Sequence, residues 1–400
     1  MAFLAILLAA LVMAWLGFLT GRRRTIVAQE ADGARAASLP VYYGYCAALW
    51  CGLPALLAGV YLLSRGGGWV WPLLAVLGIA VAALLVTLFT LSPKFKARQH
   101  LERMLKFFLI ACAVLSVAIT ALIILSMLFE SLRFFQKIPL TDFLFGLQWS
   151  PQTAIRADQA GSSGAFGAVP VFLGTLLITL IAMLVAVPLG LLSAIYLSEY
   201  AGRQQRAVMK PVLEILAGIP TVVYGYFAAL TVAPFFRDIG EGIGIPVDSH
   251  SALACGIIMG IMIVPFVMSL SDDVMSAVPG ALRDASLALG STPSETIRKV
   301  VVPAALPGIM GAVLLAVSRA IGETMIVVMA AGLAAKLTVN PFAAVTTVTA
   351  QIVTLLVGDQ EFDSAKTLSS FALGLTLFCI TLALNILALS IVKKYREQYD

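Results

Sequence analysis

One arginine and one glutamate define the chemistry open to this sequence. Arg319 and Glu323 interrupt an otherwise apolar run from 304 to 332, with Ser318 and Thr324 beside them. Such a run is long enough to cross a bilayer core of about 30 Å, and Arg319 falls near its middle. A charge at that depth is costly unless it faces protein, water or a counter-ion. On a continuous helix Glu323, four residues on, shares the face of Arg319 and lies within reach. Two uses follow. A self-neutralising pair would hold helices together. Alternatively, the planar, always-charged guanidinium would offer its fork of donors to carboxylate or phosphate oxygens crossing the membrane. The sign suits an anion, although Glu323 would offset part of it.

Other chemistry finds no footing. The chain lacks a G-x-x-x-x-G-K-[ST] phosphate loop and even a Gly-Lys pair, so any ATPase must be a separate chain. Gly240-x-Gly242-x-Gly244 is too weak a pattern for nucleotide binding and reads as an outer loop. The five cysteines (Cys46, Cys51, Cys112, Cys255, Cys379) fall in apolar runs without Cys-x-x-Cys spacing, so they read as packing residues. His100 and His250 fall in different loops, far apart in sequence. No catalytic residue, metal site, cofactor or nucleic-acid partner is expected.

The elements that must position Arg319 are membrane helices. At 60% hydrophobic and 12% charged residues the chain departs from soluble domains, which carry about 25% charged residues. The sequence predicts an all-α polytopic membrane protein with nine spans, near 3–20, 41–63, 69–92, 107–129, 169–197, 211–235, 253–270, 304–332 and 368–392. With the 271–303 loop in the cytoplasm, the cytoplasmic segments hold 18 of the 26 Lys and Arg residues, and the outer ones 7. That asymmetry sets the N-terminus outside and the C-terminus inside. Arg22-Arg23-Arg24 follows the first apolar run and does not precede it, so an uncleaved anchor is expected in place of a secretory signal. Trp69 and Trp71 suit an outer aromatic belt.

Seven further features organise the chain. Lys94, Lys96, Arg98, Arg103 and Lys106 form a basic linker, placing a boundary between residues 1–106 and 107–400. The outer segment 130–168 is expected to be ordered in part, and 343–357 to form a surface or re-entrant helix. Pro188 suggests a kink, and Gly218-Ile219-Pro220 bends near the path. Ser271-Asp272-Asp273 reads as a polar hinge opening a cytoplasmic loop to 303. Within that loop Thr292-Pro293-Ser294-Glu295 reads as a helix start, with Thr as cap, Pro at the first helical position and Glu three residues after the cap.

From Asp284 this loop reads D-A-S-x3-G-x9-V-x-V-P. It resembles the E-A-A-x3-G-x9-I-x-L-P loop through which permeases of binding-protein-dependent ABC importers dock on an ATPase. Ala285, Gly290, Val300 and Pro303 keep the family spacing; Asp284, Ser286 and Val302 depart from it conservatively. Phe143-Leu144-Phe145-Gly146, Phe166-Gly167-Ala168-Val169-Pro170, Tyr196-Leu197-Ser198-Glu199-Tyr200, Leu216 to Gly225 and Val264-Pro265-Phe266 look like phosphate-transport (Pst) permeases. Arg319-Ala320-Ile321-Gly322-Glu323-Thr324-Met325 is similar to their C-type subunit.

The resemblance implies a type I permease core of six helices, with three N-terminal helices added. It assigns Arg319 and Glu323 to the phosphate pathway and Asp284 to Gly290 to ATPase coupling. The partners it implies are a homologous second permease, a cytoplasmic ATPase dimer and an extracytoplasmic phosphate-binding protein, all at the bacterial inner membrane. Another oxyanion such as sulfate or molybdate, a self-contained channel or ion-coupled carrier, and a membrane-anchored assembly factor are the competing readings.

Overall fold

In a computed structural model, residues 2–32, 37–64, 70–90, 95–153, 163–357 and 363–396 are described. Trp69 and Lys94 lie outside them. The chain divides into two compact units, Met1–Ala121 and Leu122–Asp400.

The first unit contains α1 (Ala2–Asp32), α2 (Pro40–Ser64), α3 (Val70–Thr90) and the first part of α4 (Ala97–Lys137). Small side chains let α1 and α2 approach closely: Ala10, Ala47, Cys51 and Ala55 are buried between the helices. Larger apolar groups such as Leu8, Trp15, Leu57 and Trp71 stay exposed, as expected of helices bathed in lipid. The Tyr43 hydroxyl donates to the Phe95 carbonyl (2.6 Å), fixing the segment that leads into α4.

Residues 97–106, expected to be a linker, are instead the opening turns of α4, and His100 is helical with them. No Gly or Pro interrupts this 41-residue helix, and Arg98 pairs with Glu102 one turn on (2.7 Å). Its length is about 60 Å, twice what the hydrocarbon core requires.

The second unit opens with the end of α4, then α5 (Leu140–Phe145) and a two-stranded hairpin. Strands β1 (Trp149–Thr153) and β2 (Ser163–Phe166) pair antiparallel with Trp149 opposite Phe166. The partial order expected of 130–168 takes this form, which helical periodicity gave no way to see. Phe134, Phe143, Trp149 and Phe166 pack edge-to-face beneath it.

Helix α6 (Val169–Ile195) runs through Pro188 as one helix and ends in a π-helical turn, Tyr196–Tyr200. Next come α7 (Arg203–Ala217), α8 (Thr221–Phe227), a π turn (Ala228–Val232) and α9 (Ala233–Ile243). The span expected over 211–235 is broken where a bend was expected: the chain turns by 81° between α7 and α8, at Gly218-Ile219-Pro220. Proline denies the helix a donor there, and α7 is amphipathic, with Arg203, Arg206, Lys210 and Glu214 at helical spacing. Gly240 and Gly242 lie in α9, and Gly244 ends it in the left-handed conformation, so this stretch is helix and not loop.

Helix α10 (Ala252–Ser276) is the most enclosed, burying Met259, Ile263 and Val267 against Ile178, Ala182 and Ala186 of α6. It carries on past Ser271-Asp272-Asp273, so the expected polar hinge is helical. The remaining elements are α11 (Gly280–Ala288), α12 (Pro293–Thr296), a π turn (Ile297–Val301), α13 (Val302–Ile321), α14 (Met325–Ala330), α15 (Val348–Leu356) and α16 (Ala365–Arg396).

The span expected over 304–332 stops at Ile321 and resumes as the short α14. Helix α15, nine residues long, is too short to cross, in keeping with the surface or re-entrant reading. It seats where Gly174 leaves room: a Cβ there would stand 2.2 Å from the Thr346 carbonyl oxygen. Among the described residues eight helices can cross a membrane, or nine if the bent pair counts as one span.

Candidate functional site

Two clusters in the second unit carry the polar chemistry. The first surrounds Arg319, in the last turn of α13. Because the helix ends at Ile321, Glu323 drops out of the i,i+4 relation that a continuous helix would impose. Its carboxylate turns to α14, where Oε1 accepts the backbone N–H groups of Met325 (3.2 Å) and Ile326 (3.5 Å). Its backbone carbonyl accepts from Thr349 Oγ1 (2.7 Å), which ties the break to α15.

Arg319 forms no ion pair among the described residues, so the self-neutralising Arg319–Glu323 pair, one of the two uses considered, is absent. The guanidinium instead sits 5.8 Å from the centroid of the Phe266 ring on α10, a cation–π contact that leaves its N–H fork unclaimed by any acid. The side chain lies on an exposed face of α13. Ser318 Oγ donates to Asn385 Oδ1 (2.8 Å) and is close to Leu314 O (3.1 Å), clamping α13 to α16. Thr324 Oγ1 donates weakly to Gly322 O (3.3 Å). An uncompensated guanidinium at the break in a spanning helix can attract an anion and meet two of its oxygens at once.

The second cluster is the α10–α13 connection. Ser286 is buried, its hydroxyl 2.9 Å from that of Thr296, so α11 is bonded to α12. Leu282, Asp284, Ala285, Leu287 and the capping residue Leu289 are exposed. Gly290 ends α11 at φ +86°, where only glycine is unstrained. Gly290 N–H donates to Leu287 O (2.9 Å) and Ser291 N–H to Ser286 O (3.2 Å), the paired bonds of a Schellman cap. Thr292 and Glu295 form the expected capping box. Pro303 lies just after the π turn, inside a helix that runs from Pro293 to Ile321.

Sequence reasoning missed the ion pairs that brace this connection. Asp272 is fully buried and accepts from Arg206 (2.8 Å) and Lys210 (2.8 Å) of α7. Arg283 reaches Glu199 in the π turn after α6 (2.9 Å). A basic amphipathic helix before an acidic pair at a span's end was the available signal, but it does not say which charge meets which.

The family described as "Binding-protein-dependent transport system inner membrane component" matches residues 186–397, more than half of the chain. The chain belongs to that family. Both clusters, from Glu199 to Asn385, fall inside the matched residues of this inner-membrane permease. A second family, described as "Phosphate ATP-binding cassette transporter", matches residues 6–67.

Among curated relatives, the probable ABC transporter permease protein YqgH of Bacillus subtilis is 35% identical over 276 residues, covering 68% of this chain and 84% of that protein. The phosphate transport system permease protein PstC of Mesorhizobium japonicum is 36% identical over 258 residues, covering 60% and 74%. PstC 1 of Mycobacterium tuberculosis is 33% identical over 277 residues, covering 63% and 81%. The permease is thus a multi-pass subunit of an ABC import system.

Proposed function

We propose that this permease carries inorganic phosphate inward as the C-type subunit of an ATP-driven importer. It works beside a homologous second permease, a cytoplasmic ATPase dimer and an extracytoplasmic phosphate-binding protein. The observation that carries the reading is the Arg319 guanidinium, held at a break in α13 without an acid partner. A phosphate anion crossing a low-dielectric region needs such a charge, and a fork of donors suits its oxygens. Glu323, engaged with the α14 backbone and not paired with Arg319, supplies a negative charge that repels a second anion. Ser318, Thr324 and the bends at Gly218 and Pro220 shape the path around it, and Pro188 lies along the neighbouring span.

ATP-driven closure of the ATPase pair pushes the exposed residues of α11 and its cap, Asp284, Ala285 and Leu289, and the motion reaches α13 through the Ser286–Thr296 bond. Residues 107–400 form the transport core, and residues 1–106 an added membrane segment. The Lys and Arg asymmetry supports an outer N-terminus and a cytoplasmic C-terminus.

Replacing Arg319 with Gln tests this. Phosphate uptake by the assembled complex in proteoliposomes should fall to background while the ATPase still copurifies. Unchanged uptake would remove Arg319 from the path, and equal competition by sulfate would overturn phosphate as the cargo.

A further inference from the structure

We propose that Arg283 is a positioning residue that links the ATPase-facing helix α11 to α6, giving the drive a second output besides α13. The inference rests on the importer reading above.

Helix α11 has an outer and an inner face. Leu282, Asp284, Ala285, Leu287 and Leu289 are exposed, whereas Arg283 and Ser286 turn toward the protein. Ser286 binds Thr296, only ten residues away, and so reaches a segment the chain already joins to α11. Arg283 makes the connection that covalent continuity does not. Its Nη2 and Nε donate to the two carboxylate oxygens of Glu199 (2.9 and 3.3 Å), 84 residues earlier in sequence. The same guanidinium donates through Nη2 to Met275 O (2.8 Å) in the last turn of α10 and through Nη1 to Val278 O (2.7 Å) in the link after it.

One planar group therefore fastens α11, a last-turn carbonyl of α10, the link between them and the π turn that ends α6. Helix-terminal carbonyls attract cations, and a two-point carboxylate pair fixes orientation as well as distance. Glu199 is only 10% exposed and Arg283 23%, so water competes poorly for either. Lysine could keep the charge but not the four-point grip. With the joint intact, a push on α11 must shift α6 together with α13. Without it, α11 can swing on the 277–279 link and leave α6 behind.

The experiment uses the full complex, with its partner permease and ATPase, in proteoliposomes. Arg283→Gln, Arg283→Lys, Glu199→Gln and the double Gln variant are compared for copurification of the ATPase, ATP hydrolysis and phosphate uptake. The expected result is full assembly and continued hydrolysis. ATP consumed per phosphate should rise at least about tenfold in the Gln variants, the factor that loss of a charge-assisted bond supports. Arg283→Lys should fall between wild type and Gln, and the double variant should be no worse than either single.

Wild-type ATP-to-phosphate ratios in both single Gln variants would overturn the proposal. So would loss of ATPase copurification in Arg283→Lys and Arg283→Gln alike, since the residue would then serve assembly alone. A wild-type complex that imports a different solute refutes the phosphate reading but not this one, because the ratio measured with that solute still decides it.

Discussion

The joint between α7 and α10 gives a quantitative test of how this fold holds its charges. Asp272 is wholly buried, while its partners Arg206 and Lys210 remain 36% and 26% exposed. That asymmetry makes the cost depend on which side is removed. Replacing either cation alone by Ala leaves the other on the carboxylate, at about 1–2 kcal/mol once partial exposure discounts a charge-assisted bond. Removing both strands a buried negative charge, and the cost should reach about 3–5 kcal/mol.

Asp272→Asn is milder, about 1–2 kcal/mol, because the two cations can regain water and Arg206 keeps its bond to Ser276 Oγ (3.0 Å). Adding Asp272→Asn to the variant lacking both cations should therefore restore stability, although it adds a third substitution. Unfolding free energies in mixed detergent–SDS micelles measure the series. If the triple variant is no more stable than the variant lacking Arg206 and Lys210, the stranded-charge argument fails.

Two other outcomes follow from the α10–α13 connection. Gly290→Ala should cost about 1–2 kcal/mol by backbone strain alone, because nothing stands within 4 Å of the added methyl. An unchanged unfolding curve would contradict the left-handed cap. Thr292→Ala removes the acceptor for Glu295 N–H (3.3 Å) and should cost about 1 kcal/mol in the same assay, with Thr292→Ser close to wild type.

Much of this architecture is written locally in the chain. Apolar runs locate the spans because a backbone in hydrocarbon must bond to itself, and that demand acts on every residue of a segment. The Thr292–Glu295 box, the Gly290 cap and the turn at Gly218–Pro220 are legible for the same reason, since each is decided within about five residues. The motif from Asp284 to Pro303 and the one from Arg319 to Thr324 likewise carry their family likeness in spacing alone.

Tertiary structure decided what those residues touch. A continuous helix would have paired Glu323 with Arg319; the break after Ile321 gave Glu323 to the α14 backbone and left Arg319 over Phe266. Glu199 finds Arg283, and Asp272 finds Arg206, across 84 and 66 residues of chain. Helical periodicity places each charge on a face, but a face does not name its neighbour. Only the packing of α6, α7, α10 and α11 brings those faces together, because side-chain pairing depends on distances in space that sequence spacing does not encode.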